Sequence, residues 1–161
     1  MHIHVYVNKN RKSAAEIMTA GCLCFRARRV SRALTRMYDE ALRPLGIAAT
    51  QLTLLNAVAM TRGQGTVSRL ADILAMDQTT LSRALRPLEK AGLVQTERLP
   101  EDRRMRVARL TPAGEQAVDD ALPLWTQAHQ RVVAALGVDA AAELLERFDA
   151  ASAAAHPSAR A

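Results

Sequence analysis

The stretch TVSRLADILAMDQTTLSRALRPLEKAG, Thr66 to Gly92, decides the fold. Val67, Leu70, Ala71 and Leu74 share one face of a short helix, with Thr66 placed to cap its start. Met76 and Asp77 make a tight turn. The Asp77 carboxylate suits the free N–H groups and the positive dipole end of a second helix. That helix buries Leu81, Leu85 and Leu88, and Gly92 stops it. Pro87 removes the hydrogen bond to the Arg83 carbonyl and should bend the helix. Leu81, Leu85 and Leu88 nevertheless hold register across it, so the helix is read as one. Two short helices joined by a tight turn form a helix-turn-helix.

Outward from this stretch, Leu93 to Leu99 mixes β-branched residues with alternation and reads as a strand. Pro100-Glu101-Asp102-Arg103-Arg104 is a polar turn, and Met105 to Leu110 reads as the returning strand. A hairpin directly after a helix-turn-helix is a wing. Thr111-Pro112 then restarts helix, a capping threonine followed by proline at the first helical position. Val118, Ala121, Leu122, Trp125, Ala128, Val132 and Leu136 form its long apolar face, with Pro123 expected to kink it. Asp139 is read as the cap of a last helix through Ala142, Leu145 and Phe148, with a frayed Ala-rich tail from Ser152.

On the N-terminal side, Leu23, Ala27, Val30, Leu34, Met37, Ala41 and Leu45 recur every three or four residues, the stripe of a long amphipathic helix. Pro44 and Gly46 close it. Thr50 is read as the cap of a following helix through Leu52, Leu55 and Val58. Residues 1–17 show no helical period and are read as a disordered arm or as upstream sequence. The expected architecture is mainly α with a small β wing: a winged helix-turn-helix flanked by long dimerisation helices. One domain, residues 18–155, is expected, with a DNA-binding lobe at about 48–110, dimerisation helices at about 20–46 and 112–155, and a frayed tail at 156–161. The outer helices carry more apolar stripe than one small body needs, which an isologous dimer would bury.

Composition agrees. The 161 residues are 49% hydrophobic but only 3% aromatic, with a formal charge of +6. That charge is uneven: residues 62–110 carry 10 Lys/Arg against 6 Asp/Glu, and residues 111–161 carry 3 against 7. A basic body beside an acidic C-terminal part points to a polyanion on one side. No apolar run is long enough for a membrane span and no signal-peptide pattern opens the chain, so the expected location is cytoplasmic, with both cysteines free.

From Asp77 to Gly114 the chain resembles the MarR family of winged helix-turn-helix regulators. The residues that bear this are Thr79-Thr80-Leu81-Ser82-Arg83, Leu88-Glu89-Lys90-Ala91-Gly92-Leu93-Val94, Asp102-Arg103-Arg104 and Leu110-Thr111-Pro112-Ala113-Gly114. The resemblance, spanning roughly Cys22 to Phe148, implies a homodimer with interlocked terminal helices and two recognition helices in successive major grooves. Gln78, Thr79, Thr80, Ser82, Arg83 and Arg86 face away from the leucine stripe. Gln can read adenine, Arg can read guanine, and hydroxyls can hold phosphates or bases. In the wing, the family's Asp-x-Arg pattern falls on Asp102 and Arg104, which implies that Asp102 holds Arg104 for the minor groove. Arg103, Arg106 and Arg69 are further phosphate candidates.

The expected activity is that of a sequence-specific duplex-DNA-binding regulator, a repressor whose DNA affinity a signal lowers. The resemblance implies two candidate signals. Leu23-Cys24-Phe25 followed by Ser31-Arg32, Thr35 and Tyr38 is similar to the first helix of the organic-hydroperoxide-sensing branch, whose matching Cys is oxidised. There, Tyr38 stands where a Tyr hydrogen-bonds the thiolate, while Arg28 and Ala49 replace two other sensor tyrosines. The other signal is a small aromatic ligand, with Arg29, Trp125 and His129 as lining candidates. A metal site on His2, His4, Cys22 and Cys24 rests on loose spacings, and no metal or cofactor is assigned. No catalytic spacing or phosphate loop supports an enzyme. A winged-helix protein-interaction module without DNA binding is the alternative from another class.

Overall fold

The structure, a computed structural model, describes residues 13–100, 102 and 104–155. The chain separates into two compact units at Thr35/Arg36. Of the stripe on the long N-terminal helix, Leu23, Ala27 and Val30 face solvent, while Leu34, Met37, Ala41 and Leu45 are half-buried.

In the first unit, α1 spans Ala14–Gly21. Residues 14–17 are therefore helical rather than part of an arm; residues 1–12 lie outside the described residues. The helix starts on a reciprocal capping box. Ser13 Oγ accepts from the Glu16 N–H at 3.2 Å, and Glu16 Oε2 accepts from the Ser13 N–H at 2.6 Å. Helix α2 spans Leu23–Leu42 and begins in this unit.

The second unit opens on the last turns of α2. A 3-10 turn, Arg43–Leu45, follows and ends at Gly46, whose φ of 66° is the left-handed conformation glycine adopts freely. Helix α3 spans Ala49–Met60 and is capped by Ala48, not Thr50. Its free N–H groups are met from a distance: Asp39 Oδ1 accepts from the Ala49 N–H at 2.7 Å, and Gln51 Oε1 from the Ala48 N–H at 2.9 Å. Strand β1, Gly65–Thr66, leads into α4, Val67–Ile73, and α5, Gln78–Lys90, follows. Strands β2, Val94–Arg98, and β3, Arg106–Leu110, form the hairpin. The sheet order is β1-β3-β2, antiparallel throughout. The two-residue β1 has no alternation to reveal it, and its pairing with Val107 and Ala108 spans over forty residues.

Helix α6 spans Pro112–Leu136 and α7 Val138–Ala155. Asp139 lies within the first turn of α7 rather than capping it. Gly137, at φ 87°, makes the break between the helices. Ser152–Ala155 remain helical where a frayed tail was expected, and residues 156–161 lie outside the described residues.

One core joins α3, α4, α5 and the sheet: Leu55, Val58, Leu70, Ala71, Leu81, Leu85, Leu88, Val94 and Ala108 are all buried. A second, smaller core of Leu42, Leu52 and Ala121 holds the end of α2 against α3 and α6. Pro87 sits inside a continuous α5. The Arg83 carbonyl loses its partner, but burial of Leu85 and Leu88 on either side outweighs that loss. Among the described residues, no helix is long and apolar enough to cross a membrane.

Candidate nucleic-acid interface

The helix-turn-helix is built as its residues dictate. Thr66 Oγ1 accepts from the Arg69 N–H at 3.1 Å and starts α4. Asp77 Oδ1 accepts from the Thr80 N–H at 2.8 Å and starts α5. The Thr80 hydroxyl donates to the other carboxylate oxygen. These two bonds hold the Asp77 carboxyl below the usual carboxylate range, the hydroxyl bond contributing most. At the far end of α5 the Gly92 and Leu93 N–H groups close onto the carbonyls of Glu89 and Leu88, a Schellman arrangement.

With Leu81, Leu85 and Leu88 turned inward, α5 presents Gln78, Thr79, Thr80, Arg83 and Arg86 to solvent, while Ser82 is half-buried. Gln78 Nε2 donates to Ser68 Oγ on α4 at 3.1 Å. Thr80 and Gln78 are therefore engaged within the motif. Among the described residues, Thr79, Arg83 and Arg86 make no hydrogen bond or ion pair to another side chain. Ser68 was not among the sequence candidates, because nothing local marks a residue ten positions upstream as a partner of Gln78.

At the wing tip, Asp102 and Arg104 are exposed. Asp102 Oδ1 accepts from the Arg104 backbone N–H at 2.9 Å, and its carbonyl accepts from the Met105 N–H at 2.9 Å. Asp102 thus fixes the backbone that bears the exposed Arg104. Arg103 lies outside the described residues. Arg106, expected as a phosphate contact, instead faces Glu89 at 3.4 Å and donates to Thr96 Oγ1. Arg69 is exposed on α4.

The switch candidates divide by unit. In the first, Cys24 is exposed in the first turn of α2, and Cys22 is half-buried with its Sγ 3.4 Å from the Phe25 N–H. Arg29 lines a shallow cavity there with Phe25, Arg26 and residues of α1. In the second, Tyr38, Trp125 and His129 come together. The Trp125 ring stacks on His129 at a centroid distance of 4.6 Å and parallels Tyr38 at 6.4 Å. The Tyr38 hydroxyl lies 3.2 Å from His129 Nδ1. Burial pushes the Tyr38 phenol up. Beside Trp125, a cleft of about 210 Å³ is lined by Leu52, Asn56, Val118, Asp119, Ala121 and Leu122. Among the described residues, no group of three or more His, Cys, Asp or Glu side chains is placed to hold a metal ion. His2 and His4 lie outside them.

Comparison with known proteins follows the same geometry. Residues 48–114, from the start of α3 to the first turn of α6, match the family model of a winged helix DNA-binding domain. The transcriptional regulator MosR of M. tuberculosis, solved in complex with DNA, is 32% identical, with a TM-score of 0.71 over 83% of this chain and 98% of that one. A mutant of E. coli MarR complexed with operator DNA is 25% identical, with a TM-score of 0.75 over 84% and 96%. CouR of Rhodococcus jostii, bound to p-coumaroyl-CoA, shares the fold at 20% identity and a TM-score of 0.71 over 83% and 93%. A comparison with curated protein sequences gives no match.

Proposed function

Because this chain belongs to the MarR family of winged helix-turn-helix transcription regulators, we propose that it acts as a homodimeric repressor whose grip on duplex DNA a chemical signal loosens. The chain is a DNA-binding transcription regulator, not an enzyme. The observation that carries the finer reading is the pair of exposed cationic groups on one lobe. Arg83 stands on the exposed face of α5, and Arg104 stands on a wing backbone pinned by Asp102.

In this reading α5 enters the major groove, where the planar Arg83 guanidinium can meet the O6 and N7 acceptors of guanine. Thr79, Ser82 and Arg86 meet bases or phosphates beside it. Gln78 reaches adenine once it exchanges Ser68 for a base edge, and Thr80 holds the helix start through Asp77. Arg104, with Arg103 beside it, enters the minor groove, where negative potential concentrates. Two copies set two such helices about one helical turn, ~10 bp, apart. A second copy is supported by the apolar residues left in solvent: Leu23, Phe25 and Val30 on α2, and Val138, Leu145 and Phe148 on α7.

A small aromatic ligand is the favoured signal, supported by the cleft beside Trp125, whose mainly apolar walls also carry Asn56 and Asp119, and by the flat Tyr38–Trp125–His129 stack next to it. Thiol oxidation is the second reading, supported by the exposure of Cys24. The test is binding to duplexes selected from a random pool, with and without cumene hydroperoxide. Arg83→Ala with Arg104→Ala should abolish specific binding while leaving the fold intact, and each mutation should cost about tenfold to a hundredfold. Retained binding in the double variant would sink the site assignment. Binding lost to peroxide in wild type but kept in Cys24→Ser selects oxidation, and indifference to peroxide selects a ligand.

A further inference from the structure

We propose that Glu89 and Arg106 are positioning residues that tie the wing to the recognition helix, so that Arg104 reaches DNA at a fixed offset from Arg83. The inference rests on the reading of Arg83 and Arg104 given above. Three elements meet at this tie. Glu89 stands in the last turn of α5, Thr96 in the middle of β2 and Arg106 at the start of β3. Glu89 Oε1 accepts from the Thr96 hydroxyl and lies 3.4 Å from Arg106 Nη2. Arg106 Nη2 also donates to Thr96 Oγ1. Each member contacts the other two.

The strand register explains why a carboxylate is needed there. Side chains alternate across a strand, so Val94, Thr96 and Arg98 share a sheet face with Leu110, Ala108 and Arg106, their cross-strand partners. Val94 and Ala108 are buried against the core, and the apolar packing on this face ends with them. One pair further out, Arg98 stands directly opposite Arg106. Like charges facing across a ladder repel. Glu89, reaching from α5, supplies the opposite charge at the point where the hairpin leaves the core. Its side chain is 28% exposed and that of Arg106 is 44% exposed. An ion pair so open contributes little to overall stability. Its consequence is geometric: it sets the direction in which the wing departs from α5.

The sign of one mutation separates this role from simple electrostatics. Glu89→Gln removes a negative charge from a lobe that binds a polyanion, and Coulomb's law alone then predicts tighter binding. A positioning role predicts weaker binding. The measurement is fluorescence anisotropy of the full chain on a selected duplex, at several salt concentrations. It compares wild type, Glu89→Gln, Thr96→Val, Arg104→Ala and the pairing of Glu89→Gln with Arg104→Ala. Glu89→Gln and Thr96→Val should each weaken binding about tenfold, with the wild-type salt slope, because no phosphate contact is lost. In the Arg104→Ala background the Glu89→Gln penalty should vanish, since the group being positioned is gone. Thr96→Val keeps a β-branched residue in the strand and serves if Glu89→Gln folds poorly. Binding by Glu89→Gln as tight as wild type or tighter overturns the proposal, as does a penalty that persists undiminished beside Arg104→Ala. Wild-type affinity in Arg104→Ala alone overturns the wing reading itself, and the positioning role falls with it.

Discussion

Gly114 should tolerate no side chain. It lies in the first turn of α6 and is buried against the junction of α5 and β2. A Cβ at this position would lie 2.0 Å from the Leu93 carbonyl oxygen, 3.0 Å from its carbon and 3.4 Å from Leu110 Cδ2. The first of these is backbone and cannot rotate away. Relief requires a separation of about 1.3 Å, given that carbon–oxygen contacts begin near 3.3 Å. That movement opens the two hydrogen bonds that close the lobe: the Thr111 N–H to the Leu93 carbonyl at 3.1 Å, and the Thr111 hydroxyl to the Gly92 carbonyl at 2.6 Å. Overpacking costs about 1–3 kcal/mol and each hydrogen bond about 0.5–1.5 kcal/mol, while alanine's better helix propensity returns about 1 kcal/mol. Mid-range values give Gly114→Ala a net loss of about 3 kcal/mol. Urea unfolding followed by circular dichroism reads this directly, at fixed protein concentration because self-association shifts apparent stability. Gly21→Ala is the control: nothing lies within 4 Å of its Cβ, and stability there should hold or rise slightly. A Gly114→Ala variant as stable as wild type, or stabilised by the propensity gain of about 1 kcal/mol, would refute the reasoning.

Two further outcomes follow from the caps. The lowered Asp77 pKa means that its contribution to stability is fully present above the ordinary carboxylate range and is lost as pH falls through the folded-state value. Asp77→Asn keeps a cap but removes the titration, so melting temperatures measured from pH 6 downward should fall less steeply than in wild type; parallel curves would count against the cap's role. Asp39→Ala removes the acceptor for the Ala49 N–H and should cost about 1 kcal/mol in urea unfolding, whereas no change would mean that Gln51 alone suffices to start α3.

What the sequence by itself determined is what neighbours in the chain decide. The leucine spacing of α5, the Thr66, Asp77 and Thr111 caps, Pro112 at a helix start and the alternating strands of the wing act over three or four residues, and all were legible. The exposed face of α5 followed as the complement of its buried one, which is why Arg83 and Arg86 could be named in advance. The Ser13–Glu16 capping box was equally local, but no apolar stripe accompanies it and α1 was passed over.

Only the tertiary structure decided the rest, because those groups meet across long stretches of chain. Asp39, not Thr50, answers the free N–H at the start of α3. The two-residue β1 exists because β3 has an edge to pair with it. Tyr38 meets His129 across ninety-one positions, and Arg106 turns from DNA candidate to partner of Glu89 across seventeen. Pro87 shows the two scales in conflict: local rules break the helix there, and the buried leucines around it keep it whole, since apolar burial outweighs a single lost hydrogen bond.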